Sequence, residues 1–132
     1  MRNVLVTDLL VLGSTVPVVV ALFRWIDDRS IAATLAGLVF LGGPVIMALV
    51  KRRQSWGGVA DLVWWLALSQ FVVFFAIPIF GLRLINWGVP FDGMTIFGVP
   101  GPQWHGFANR SFSLMALVMI ASDLWRNFVV KK

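Results

Sequence analysis

VADLVWWLALSQFVVFFAIPIFGL, Val59 to Leu82, holds one charge, Asp61, and one other strongly polar side chain, Gln70. The run lacks the apolar–polar alternation of a barrel strand. About 20 apolar residues cross the ~30 Å hydrocarbon core of a bilayer as a helix. A helix also satisfies its own backbone hydrogen bonds where no water can do so. The stretch therefore predicts a transmembrane helix, and its flanks are read as the ends of one.

On its N-terminal side lies KRRQSWGG, with Lys51, Arg52 and Arg53 and no acid. Before that comes a second apolar run, about Ile31 to Val50. The short balanced loop RWIDDRS, with Arg24 and Arg29 against Asp27 and Asp28, separates it from a first run, about Val4 to Phe23. Asp8 inside that first run, and the lack of a small-x-small site before Arg24, favour a retained span over a cleaved signal peptide. On the C-terminal side a fourth span is expected at about Asn109 to Val130. Its clean core, SFSLMALVMIAS, is short, with Arg110 before it and Asp123 and Arg126 after it. A full span lets Arg126 snorkel and leaves Lys131 and Lys132 in water. The alternative is a shorter span ending in an interfacial turn.

The expected fold is thus an all-α membrane protein. It is a single domain of four transmembrane helices (about 4–23, 31–50, 59–82 and 109–130), with a long apolar Gly/Pro-rich outer loop at about 83–108. Composition agrees: the 132 residues are 59% hydrophobic and 13% charged, with mean hydropathy +0.87. A soluble chain this apolar would expose large aggregating patches. The net charge of +5 sits in short loops beside the spans, which reads as the positive-inside bias rather than as nucleic-acid binding. With four spans, Met1-Arg2, the KRR loop and the Lys131-Lys132 tail share one side. Both termini are therefore expected in the cytoplasm and the chain in a bacterial inner membrane. Trp25, Trp87 and Trp104 would form an outer aromatic belt, and Trp56, Trp64, Trp65 and Trp125 an inner one.

The chemistry-bearing residues are few. Without cysteine, disulfides, thiolate nucleophiles and Cys-held zinc or iron–sulfur clusters are excluded within the chain. There is no Glu, so acid chemistry falls to six Asp. No P-loop, dinucleotide fingerprint or nucleophile elbow is present, and no catalytic residue is assigned. Asp8, Asp61 and Gln70 are candidates for an ion or proton path, because an intramembrane polar group is a functional hypothesis by default. Against that, Asp8 and Asp61 lie near helix N-termini and at the depth of Lys51 to Arg53 and Arg126, which suits interfacial anchoring. Asp123 reads the same way, near Arg126. Gln70 also suits an interhelical hydrogen bond. Ala32, Ala33, Ala36 and Gly37 give small-xxx-small pairs for close helix packing. Pro17, Pro44 and Pro78 should each bend a span.

The connection 83–108 is too apolar for disorder and too irregular to enter lipid unprotected. It is expected to cover its own bundle, dock on a partner or contact lipid. The turn residues there also admit a β-hairpin over Met94 to Val99. Trp87, Phe91, Ile96, Phe97 and Trp104 are the candidate docking anchors; Val99 adds to them. Arg83, His105 and Arg110 are the candidates for lipid headgroups. His105 is also a haem-ligand candidate; no cofactor is predicted, with haem or a quinone as the alternatives and no metal. The expected role is an accessory or assembly subunit of a larger membrane complex, acting by binding rather than by chemistry of its own. A homo-oligomeric transporter or channel, and a lipid- or quinone-binding protein, are the alternatives.

Overall fold

The computed structural model describes residues 2–54, 58–88 and 93–130. The chain is helical over nearly all of them. Helix α1 runs Arg2–Trp25 and α2 runs Arg29–Arg52. Helix α3, Gly58–Phe71, passes through a π-helical turn, Val72–Ala76, into α4, Ile77–Ile85. Helix α5, Gly101–Leu124, ends in a second π segment, Trp125–Val130. Val4–Trp25, Arg29–Arg52, Gly58–Ile85 and Gly101–Val129 are each long and apolar enough to cross a membrane. The chain has the build of an integral membrane protein.

Local chemistry explains the boundaries. Asp28 caps α2 by accepting from the Ser30 and Ile31 backbone N–H groups at 2.9 and 3.2 Å. Lys51 and Arg52 sit in the last turn of α2, where the helix dipole favours positive charge. Pro17 and Pro44 are carried inside continuous α-helix. At Pro78 the third span widens just upstream: the Ile77 N–H donates to Val72 O, five residues back. A π turn relieves the crowding that a proline ring imposes on the preceding turn.

Helix α1 packs on α2 and α5. The α3–α4 span packs on α5 and, through α4 and the π turn, on α2. The helices therefore close into a four-membered ring. The core holds Val4, Met47, Trp64, Leu68, Phe71, Met115 and Met119. Large apolar residues such as Leu10, Val20, Leu66 and Leu117 face outward, as a lipid-facing surface requires.

The connection between the third and fourth spans is shorter than expected. The third span continues to Ile85 and the fourth begins at Gly101, not at about Asn109. Pro100 is extended and serves as N-cap, and Pro102 sits in the first turn. There a missing N–H costs nothing and the fixed φ suits the helix. The Gly/Pro run thus marks a helix start, and Trp104, His105 and Ala108 belong to α5 rather than to a loop. Within 93–100, β1 (Thr95–Ile96) pairs antiparallel with β2 (Val99–Pro100), Thr95 opposite Pro100 and Ile96 opposite Val99. Both turn residues have positive φ, Phe97 at 52° and Gly98 at 78°, as two-residue hairpin turns require.

Candidate functional site

Two polar features stand at opposite ends of the bundle. The first surrounds a cavity of about 280 Å³ between the four spans at the hairpin end. Its wall is aromatic. Phe40, Phe71 and Phe112 form a cluster with centroids 5.3 to 6.1 Å apart, and Phe75 and Phe80 add to it. Phe75 and Ala76 come from the π turn, so the widening at Pro78 shapes this wall. On α2, Ala33, Ala36 and Gly37 line the other side. Ala32, Ala33 and Ala36 are buried, and a Cβ on Gly37 would lie 2.3 Å from Phe80 Cδ2. The small residues of α2 therefore both admit close packing and leave room for the cavity.

Arg83, His105 and Asn109 are the polar lining. Arg83 Nη2 lies 3.4 Å from His105 Nε2, with the guanidinium as donor because arginine has no acceptor. Helix α5, by starting at Gly101, carries His105 and Asn109 four residues apart on one face. Arg110 is exposed and does not line the cavity. Nearby, Gln70 and Ser111 join α3 to α5. Gln70 Nε2 donates to Ser111 O at 2.9 Å, and Ser111 Oγ donates to Gln70 Oε1 at 2.8 Å.

The second feature lies where α1 begins, α2 ends, α3 begins and α5 ends. Lys51 pairs with Asp61. Trp64 Nε1 donates to Asp8 Oδ2 at 2.8 Å, and Lys51 Nζ stands 5.7 Å from the centre of the Trp64 ring. Asp123 interacts with both Asp8 and Lys51. Asp8, Lys51, Trp64 and Asp123 are fully buried. Trp64 is thus a core residue and not part of an interfacial belt. Trp25, Trp87 and Trp125 are exposed, and Trp56 lies outside the described residues.

The sequence candidates are redistributed. Asp8 and Asp61 come together around Lys51 and Trp64, while Gln70 is bonded elsewhere to Ser111. Among the loop anchors, Trp87 and Phe97 are exposed. Trp104 packs edge-on against Phe75 and Phe107 in α5. Ile96 falls in β1, and Phe91 lies outside the described residues. The aromatic wall was not anticipated. Its signal lies in the helical spacing of Ala33, Ala36, Gly37 and Phe40, and of Phe71 with Phe75; of these only Ala33, Ala36 and Gly37 stand out from the sequence, as packing residues. Among the described residues, no three His, Cys, Asp or Glu side chains group as a metal site. Comparison with protein-family models, curated proteins and solved structures finds no match to this chain.

Proposed function

We propose that the chain binds an amphiphile with an anionic head, a phosphate or carboxylate, whose hydrocarbon tail enters the cavity between the spans. The observation that carries this reading is the cavity itself, with phenylalanine rings along its wall and Arg83 and His105 at its polar side. Guanidinium groups match phosphate and carboxylate geometry. Aromatic and aliphatic walls with a few placed polar groups are the usual make-up of such sites. The volume lies near the lower end of the ~300–1,000 Å³ typical of small-molecule sites, which suits a head and part of one chain. On this reading the hairpin end and Arg83 face outward and both termini lie in the cytoplasm of a bacterial cell, an orientation that the positive-inside bias favours.

The test is co-purification in mild detergent, followed by native mass spectrometry and titration with a spin-labelled fatty acid and with an anionic phospholipid. Arg83→Ala should weaken anionic binding about tenfold or more, or ~1.4 kcal/mol, while a long-chain alcohol binds as before. Equal binding of anionic ligands by both proteins would sink the reading.

The accessory-subunit reading stays beside it because of one observation. Phe97 stands 95% exposed at a hairpin tip, and exposed aromatics are favoured interface anchors. A large native-gel band with stoichiometric partners, lost on changing Phe97, would favour that role.

A further inference from the structure

We propose that Asp8 and Asp123 hold one proton between them, making the buried end of the α1–α5 contact a proton-binding site. This site is at the opposite end of the bundle from the cavity and does not depend on what the cavity binds. Helices α1 and α5 pack together, and Asp8 and Asp123 are neighbours in that contact. Both residues are 0% exposed.

The donors around them are too few. Asp8 Oδ2 receives the Trp64 indole N–H. Among the described residues no donor reaches Asp8 Oδ1 or either oxygen of Asp123. Every element at this end contributes to the balance: Asp8 from α1, Lys51 from α2, Asp61 and Trp64 from α3, Asp123 from α5 and Arg126 from the turn after it. Among the described residues Lys51, already paired with Asp61, is the cation coupled to both buried carboxyls, which leaves negative charge in excess in a buried place. Two adjacent carboxylates repel and cannot both stay ionised out of water. One proton removes the excess charge and turns two facing acceptors into a donor and an acceptor. A metal ion fits less well, because among the described residues no three His, Cys, Asp or Glu side chains group closely enough to hold one.

Infrared spectroscopy of the full chain in lipid vesicles tests this directly. The chain has no Glu, so a carboxylic C=O stretch at neutral pH comes from Asp or from the C-terminal carboxyl. Labelling the Asp side-chain carboxyl carbon with ¹³C separates these two. The wild type should show one such Asp band, shifted in D₂O. It should vanish in Asp8→Asn and in Asp123→Asn, where the amide N–H supplies the hydrogen bond in the proton's place. It should persist in Asp61→Asn and Asp92→Asn. No Asp band in the wild type, which requires no variant to fold, overturns the proposal. So does a band that survives either Asp8→Asn or Asp123→Asn.

Discussion

The Trp64 indole donates to Asp8 across 2.8 Å between fully buried groups, and that bond ties α3 to α1. The same ring lies 5.7 Å from the Lys51 ammonium. One side chain therefore offers its edge to a carboxylate and its face to a cation, as the charge distribution of an aromatic ring allows. It stands between the Lys51–Asp61 pair and the Asp8–Asp123 contact.

Trp64→Phe keeps most of the ring and removes the donor. Asp8 then loses its hydrogen bond from Trp64. A loss of about 1–3 kcal/mol is expected for a buried group left unsatisfied. Unfolding in mixed micelles with increasing SDS reads it, with the half-buried neighbour variant Trp65→Phe as control. Equal losses in the two proteins would mean that the bond to Asp8 contributes nothing of its own.

Lys51→Met should be more damaging. It removes a buried cation from among Asp8, Asp61 and Asp123. Breaking a buried pair by deleting one partner costs about 3–5 kcal/mol. Combining it with Asp61→Leu should restore part of the loss, since an apolar pair of similar volume tolerates burial. The same SDS titration checks this. A double variant as unstable as the single would show that the Lys51–Asp61 pairing is not the source.

The four spans could be read from the sequence because hydrocarbon imposes one requirement, a predominantly apolar run of sufficient length, which Val59 to Leu82 meets by composition alone. The start of α5 was harder. GVPGPQW contains residues that terminate helices as readily as they begin them, and only position separates the two cases: Pro102 in a first turn is favourable, but one turn later it would not be. Asp8 illustrates another limit. Its depth along α1 follows from counting residues, but its burial depends on which rotation brings it against Trp64 of α3 and Asp123 of α5. Ring closure between distant segments sets that rotation. The cavity is hidden for the same reason, since its wall is assembled from phenylalanines on two spans and on the π turn, and each alone looks like ordinary membrane packing.

Gly37 tests whether α2 and α4 are as close as the bundle requires. A Cβ there would meet Phe80 Cδ2 at 2.3 Å and Cε2 at 3.0 Å, so the ring or the helix must move. Gly37→Ala should cost about 1–3 kcal/mol by overpacking. In a Phe80→Ala background the same change should cost clearly less, giving a favourable coupling in the double-mutant cycle. Additive losses would place the two residues out of contact.

Phe97 gives the prediction that separates the roles of the hairpin. Its backbone sits at φ 52°, in the left-handed region, which costs an ordinary residue about 1–2 kcal/mol. Asn and Gly adopt that conformation readily and are the preferred residues for a two-residue turn ending in Gly98. The Phe97 ring is 95% exposed, so it adds little packing inside the chain. Phe97→Asn should therefore leave the unfolding midpoint unchanged or raise it. If the ring is an anchor for a partner, the variant should keep its stability and lose the larger band on a native gel. A fall in the midpoint would instead mean that the hairpin closes over its own helices, and the docking role would be withdrawn.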